Sequence, residues 1–372
     1  MGHTELRKSG PGKTPPAADG VKTSPTVAPP LPLDADLLER WHAAKGAPLT
    51  ARLERTSVEE EQQRRDKKRA RQANMTRVEK RRDDAREYVD KPLADNDRYH
   101  LHSVLALCGF PYKRPPADRD HYIREYGKNS LAVQAGFLKD PLTGKMVQPG
   151  LPYGPKARLL MIHICTMAMR QNSHEIEVAD SMSALIRDLG FKVTGGQNGT
   201  INLFKEQLNR LAAAHMQLGL WSGNGAARTI KTQAIDAFDI WLPQDPDQKQ
   251  LWSSTLYLNK DFFASLKEHA MPIDIRSLKA FSSSSRQIDI VLWLAWRLRT
   301  VDRRYPISWT ALKEQFGKDI ERSRKFRQTF ATDIEAIREV FPKLPVKLTE
   351  QGIMLFPSDP GSLFVPPKRL GK

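Results

Sequence analysis

Leu151–Trp221 reads LPYGPKARLLMIHICTMAMRQNSHEIEVADSMSALIRDLGFKVTGGQNGTINLFKEQLNRLAAAHMQLGLW. Pro155 suits the first turn of a helix, where its missing N–H costs nothing. Leu159, Ile162 and Met167 give that helix an apolar body as far as Arg170. His163 within it is expected to be a core-edge histidine, not a ligand. HEIEV (174–178) alternates as a short strand does. Asp180 or Ser181 can cap the next helix, MSALIRDLG, which Gly190 ends. TGGQNGT (194–200) is a turn, and a helix is predicted from Asn198 to Ala214. On it Ile201, Phe204, Leu208, Leu211 and His215 form one stripe. The opposite face carries Asn198, Asn202, Glu206 and Asn209, with Lys205 and Arg210 beside them. Asn can pair bidentately with adenine and Glu can accept from cytosine. The free N–H groups of a helix start behind glycines can hold a phosphate. Asn224-Gly225 between MQLGLW and AIDAFDIWL is a strong hairpin signal, with Arg228 near the tip placed to reach phosphate or the minor groove. Helix, strand, helix, helix, hairpin is the order of a winged helix-turn-helix, in which the third helix reads DNA.

The pattern restarts further on. After STLYLNKDFFASL (254–266) comes a short helix, DIRSLKAFS, and then RQIDIVLWLAWRLRTV (286–301), apolar almost all round and so a central buried helix. Trp293 and Trp296 belong to the core on this reading. YPISW is a short strand. TALKEQFG is a helix capped by Ser308 and closed by Gly317. The next helix, Glu321–Val340, buries Phe326, Phe330, Ile334 and Ile337. Its outer face shows Arg324, Lys325, Arg327, Gln328 and Thr332, then Glu335 and Glu339. A recognition helix entering a groove by its N-terminal end has that polarity. LPVKLTEQGIMLFP closes the module as a two-stranded wing. The expected fold is α+β, with two tandem winged helix-turn-helix domains after a disordered, basic N-terminal region.

Composition agrees with an acidic polymer as partner. The chain has 372 residues and a net charge of +16, and summed charge sets long-range attraction. Two cysteines, Cys108 and Cys165, allow one bridge at most and no Cys-x-x-Cys metal pair. No signal core or run of about 18 apolar residues appears, so a cytoplasmic protein is expected. The organisation read from the sequence is a Pro-rich tail over 1–50, a basic helical arm or linker over 51–91, a first winged-helix domain with an N-terminal extension over 92–258, a second over 259–358, and a tail over 359–372. GPGKT (10–14) lacks the earlier glycine and the strand of a phosphate loop. In 51–91 the clusters Arg64–Arg71 and Arg77–Arg82 suit either a phosphate-contacting arm or a solvated linker.

GLPYGPKARLLMIHI, the block DSMSALIRDLGFKVTGGQNGTINLFKEQLNRL and YPISWTALKEQFG together resemble the plasmid RepA-type replication initiators. STLYLNKDFF followed by MPIDIRSLKAF is similar too. The resemblance spans roughly residues 98–358 and leaves the first 90 residues outside. It implies a protein that binds direct repeats (iterons) in the double-stranded DNA of a plasmid origin. Opening of an adjacent stretch, recruitment of a host replication initiator and helicase, a possible homodimer and repression of its own promoter are implied with it. No cofactor, metal or membrane is expected. A transcriptional repressor without a replication role fits the DNA-binding features equally well.

The chain is expected not to be an enzyme, but one enzymatic reading has residues to its name. Nicking initiators of another class use a His-hydrophobe-His metal site and a nucleophilic tyrosine. His100-Leu101-His102 and the pair Tyr122 and Tyr126 supply those types. Such histidines need a strand, where i and i+2 share a face. RYHLHSVLALCG is read as a helix, on which they point apart.

Overall fold

The computed structural model describes residues 32–44, 48–89, 91–140, 143–177, 182–196, 198–221, 227–233, 235–238 and 255–357. Residues 1–31, the C-terminal tail, the cap at Asp180 or Ser181 and the Asn224-Gly225 turn lie outside them, whereas residues 35–43, within the stretch expected to be disordered, form a helix. The chain divides into two compact units, Met1–Asn74 and Met75–Lys372.

The first unit holds α1 (Ala35–Ala43) and α2 (Pro48–Gln72). Leu37 and Trp41 of α1 bury against Val58 of α2. Ion pairs then fix the hairpin: Arg65 reaches Asp34, Asp36 and Glu61, Arg69 reaches Asp34, and Arg40 reaches Glu54 and Glu61. Hydrogen bonds from Arg69, then from Arg65, hold the Asp34 carboxyl below its usual range. Part of the basic cluster Arg64–Arg71 is therefore matched by acids of α1 and is not a row of free cations. The run is also not one helix. It breaks before α3 (Arg77–Val89), where Thr76 and Glu79 exchange side-chain-to-backbone hydrogen bonds of 2.7 and 3.3 Å. TRVE (76–79) is the capping-box pattern, legible in the sequence.

The second unit begins with α3, which is not polar all round in its setting. Ala85 is buried, Arg81 donates to Ser282 Oγ, and Arg82 pairs with Glu339 at 2.9 Å. These two arginines face protein. Next come β1 (Arg98–His102), α4 (Ser103–Cys108), the hairpin β2 (His121–Tyr126) and β3 (Asn129–Gln134), and the flap β4 (Leu138–Lys139) and β5 (Met146–Val147). α5 (Gly154–Gln171), β6 (Glu175–Glu177), α6 (Met182–Asp188) and α7 (Thr200–Ala213) follow as the sequence predicts. β7 (His215–Trp221) and β8 (Ala227–Gln233) pair with each other, and β7 also pairs with β3, giving the sheet β2-β3-β7-β8. That is a correction. AIDAFDIWL is not the partner of MQLGLW, because β8 ends at Gln233 and β9 (Ile235–Phe238) leaves for another sheet. There β9 pairs with β10 (Thr255–Leu258), and β10 pairs with β6.

α8 (Lys260–His269), β11 (Ala270–Asp274), α9 (Ile275–Ala280), α10 (Ser285–Arg297), β12 (Tyr305–Ser308), α11 (Trp309–Phe316), α12 (Ser323–Val340), β13 (Val346–Thr349) and β14 (Gly352–Leu355) complete the chain. Their sheet has the order β12-β14-β13, antiparallel throughout. The earlier sheet β6-β10-β9 has the same order and sense, first-third-second in chain order. Helix, strand, helix, helix and two strands thus occur twice with one topology. In the first copy the hairpin β7–β8 intervenes between α7 and β9.

The two copies also meet symmetrically. β1 and β11 are antiparallel, with His100 opposite Pro272 at the centre of five pairs. Each strand runs directly into a six-residue helix, α4 or α9. One apolar core extends through the whole unit from Ala85 to Leu355. The architecture is α+β.

Candidate nucleic-acid interface

α12 buries Phe326, Phe330, Ile334, Ile337 and Val340. Arg324, Lys325, Arg327, Gln328 and Thr332 are exposed on its other side, followed by Glu335 and Glu339. The 3.6-residue period makes this division, and the aromatic rings of Trp309, Phe316, Phe326 and Phe330 fix its angle. Arg327 lies over the Trp309 ring at 5.9 Å. No side chain caps the start of α12, so first-turn N–H groups remain open to an acceptor. Between α11 and α12 a cleft of about 400 Å³ is lined by Trp309, Lys313, Lys318, Ser323 and Arg327. Gly317 is needed at its floor, since a Cβ there would stand 2.4 Å from the Phe326 ring.

α7 is less open than its sequence suggests. Asn198 and Asn202 are exposed, but the Asn202 amide donates to Gly196 O at 2.9 Å and so ties the preceding turn. Asn209 is half-buried. Burial holds the half-buried Lys205 ammonium below its usual range. Glu206 accepts from Arg210 at 2.9 Å and from Tyr153 Oη at 3.4 Å, with Arg114 at 3.7 Å. Arg210 corrects an expectation. It is 5 % exposed, donates to Leu151 O and lies over the Tyr153 ring. It braces α7 against the Leu151–Tyr153 segment before α5 and is turned away from solvent. Arg228 is exposed on β8, 3.4 Å from Glu268. His215 is exposed at the start of β7, not part of the apolar stripe.

Periodicity alone does not select several other exposed cations. Lys318 and Arg322 are exposed in the α11–α12 turn, Arg303 and Arg304 before β12, and Lys347 on β13. A loop cation carries no periodic signal.

The histidine reading had a wrong premise. RYHLH is a strand, β1, so His100 and His102 do share a side. The rings are nevertheless committed differently. His102 is fully buried, caps α4 by accepting from Val104 N, and bonds Ser265 Oγ through Nε2 at 3.0 Å. Burial, then the nearby His269, pushes it down to about 3. Tyr126 Oη accepts from Trp293 Nε1 at 2.8 Å. Among the described residues no three His, Cys, Asp or Glu side chains cluster as metal ligands.

His163 is buried with neither ring nitrogen hydrogen-bonded, and burial pushes it down to about 4. Its unfolded value is about 6.5. Between those two values the unfolded chain holds the extra proton, so stability falls as pH drops from about 6.5 toward 4, by at most about 1.4 kcal/mol per unit. His163→Leu is expected to flatten the stability–pH curve in that window. Urea midpoints measured from pH 7 to 4.5 check this, and parallel curves for the two proteins refute it.

Residues 151–311 match the family described as plasmid encoded RepA protein. No curated protein matches the chain. Among solved structures, a crystal structure of domains 2 and 3 of RctB is similar over 70 % of this chain and 100 % of that one. Its sequence identity is 10 % and its TM-score 0.42, too low for the likeness to bear on function. Among the described residues no helix is long and apolar enough to cross a membrane. The matched segment, residues 151–311, is similar to the plasmid-encoded RepA proteins and supports the resemblance to RepA-type replication initiators read from the sequence.

Proposed function

We propose that the protein starts plasmid replication by binding repeated duplex sites in the plasmid origin through two winged helix-turn-helix modules. In this reading α7 and α12 enter successive major-groove segments, and β9–β10 and β13–β14 are the wings. The strand–helix pairs β1–α4 and β11–α9 open the modules, which moves the start of the second from 259 to about Ala270. The observation that carries the reading is α12. Four exposed side chains able to contact phosphate or base edges (Arg324, Lys325, Arg327 and Gln328) occupy its N-terminal half, while its acids stand at the far end. A helix docked by its N-terminal residues needs that asymmetry. In α7 the contacts fall to Asn202, Lys205 and Asn209, with Asn198 in the turn before it, because Glu206 and Arg210 hold each other. Arg228 serves phosphate. Recruitment of a host initiator and helicase, a homodimer that represses the protein's own promoter, and a cytoplasmic setting belong to the same reading.

The test is a footprint on DNA flanking the protein's own gene, together with affinities of Arg324→Ala and Gln328→Ala for the protected site. Evenly spaced protected repeats are expected. Each variant should lose about 1–3 kcal/mol of binding where a base contact is removed. A single inverted site would favour a simple repressor, and unchanged affinity in both variants would remove α12 from the interface.

A further inference from the structure

Arg81, Lys156 and Lys279 come from three helices, α3, α5 and α9, and meet at the Gly190–Phe191 turn after α6. The Arg81 guanidinium carbon and the Lys156 Nζ each lie 5.8 Å from the centre of the Phe191 ring. Phe191 packs edge-on against Phe204 at 5.1 Å. The Lys279 stem crosses Gly190, where φ is +81° and a Cβ would stand 3.2 Å from Lys279 Cγ. A cavity of about 360 Å³ opens there, lined by Arg81, Tyr88, Gly190, Arg276 and Lys279, with the carboxylates Asp84 and Asp97 also on its wall.

Several other half-buried and buried arginines of this unit hold carboxylates, whereas Arg98 and Arg297 keep a buried Nε without a hydrogen bond. Arg276 holds Asp274 at 2.8 Å and has Asp97 at 3.9 Å, Arg82 holds Glu339, and Arg210 holds Glu206. The three at the turn also hold no carboxylate. Arg81 donates to a hydroxyl, Ser282 Oγ. Among the described residues neither the Lys156 nor the Lys279 ammonium is hydrogen-bonded to a carboxylate. Burial lowers all three from their usual range, with Glu206 acting on Lys156 and Asp97, Asp188 and Asp274 on Lys279 in the other sense. Partly desolvating a cation without a counter-charge costs free energy. Three such groups around one turn are explained if an anion completes them.

We propose that the α6–α7 turn is a binding site for phosphate groups, held by Arg81, Lys156 and Lys279. One guanidinium fork with two ammonium point charges suits tetrahedral oxyanions. Asp84 and Asp97 on the cavity wall oppose a ligand that is anionic along its whole length inside it. The phosphates are those of a DNA backbone passing the turn, or those of a free phosphate compound. The first source rests on the DNA-binding reading above and the second does not.

The test uses the full chain, the double variant Lys156→Gln/Lys279→Gln and the single variant Arg81→Gln. Two quantities are measured: calorimetric binding of inorganic pyrophosphate, and the salt dependence of binding to an origin duplex. If the source is DNA, the slope of log K against log salt becomes shallower by about 0.9 per lost phosphate contact, so by about 2 in the double variant, and pyrophosphate does not saturate. If the source is free, pyrophosphate binds saturably and about tenfold or more weakly in the variants, with the slope unchanged. Equal slopes and equal pyrophosphate behaviour in all three proteins overturn the site. So does a lower thermal midpoint in both variants, because cations kept only for the fold would show it. A wild-type chain that binds no duplex defeats the proposed function, while the pyrophosphate measurement still decides this site.

Discussion

Asp289→Asn is expected to cost about 3–5 kcal/mol of folding stability, the range for removing one partner of a buried charge cluster. Asp289 stands on α10 at 4 % exposure. Its carboxylate takes Arg158 Nε at 2.6 Å and Arg158 Nη2 at 2.9 Å, and Arg124 Nη1 lies at 3.5 Å. Both arginines are as buried as the aspartate. The remaining Arg158 N–H groups go to the carbonyls of Phe110, Pro111 and Gly154. Arg124 donates to Tyr112 Oη and to Gln315 O. Gln315 in turn donates to Leu107 O at 2.8 Å. The cluster thereby joins α5 and β2 to α10 and α11, across the two copies of the repeated topology. Asparagine keeps the shape but leaves two cations facing a neutral amide. Glutamate is no remedy, because the site is already filled: even a Cβ on Gly109 would approach Asp289 Oδ2 to 2.7 Å. Urea unfolding checks the result, with a lower midpoint and an unchanged slope expected. A second variant separates charge from shape. Arg124→Met in the Asp289→Asn background should recover part of the loss, since it removes one of the stranded cations. A loss under about 1 kcal/mol in Asp289→Asn, the size typical of an exposed pair, would show the cluster to be no more than a surface bridge.

None of that cluster is legible in the sequence, because its members lie far apart in the chain and no period relates them. What periodicity could show, it showed. The stripes of α7 and α12, the buried α10 and the strand YPISW follow from side-chain spacing alone, and Ser308 caps α11 as its position predicts. The failures have physical causes too. RYHLHSVLALC changes from strand to helix without a glycine or proline, at a histidine that accepts the capping hydrogen bond from Val104 N. Histidine is absent from the usual N-cap set, so the boundary had no signal. The Asn-Gly pair drew the hairpin signal to β7–β8, whereas the strand that completes the repeated three-stranded sheet, β10, lies some twenty residues further on. Arg210 was misplaced because a long side chain at the edge of an apolar stripe can turn either way. Here the Leu151 carbonyl, Glu206 and the Tyr153 ring turn it inward.

Phe330→Ala is expected to lose about 3–5 kcal/mol of stability, the range for emptying a buried aromatic position, and, on the proposed function, to weaken DNA binding without touching the exposed cationic side of α12. Phe330 is fully buried, with ring centres of Phe326, Phe316 and Trp309 at 5.6, 5.7 and 6.1 Å. Trp309 and Phe316 are the two ends of α11, so these rings set the angle between α11 and α12. Trp309 is itself anchored, its Nε1 donating to Glu350 O at 2.9 Å in the turn between β13 and β14. The chain of contacts runs from the β13–β14 turn through Trp309 to Phe330, and Arg327 on the outer face rests on that same indole. Removing the Phe330 ring leaves a cavity beneath the helix, and α12 tilts or frays into it. Arg324, Lys325 and Gln328 then remain present but are presented at a changed angle. Base contacts, which depend on side-chain geometry, suffer more than phosphate contacts, which depend mainly on charge. The expected signature, measured below the variant's unfolding transition, is a fall in affinity for the specific site with little change in non-specific affinity or salt slope. Thr332→Ala, an exposed change on the same helix, gives the comparison, with stability within about 0.5 kcal/mol of the parent. If Phe330→Ala lowered specific and non-specific binding equally, α12 would be a charged surface and not a helix held at a reading angle.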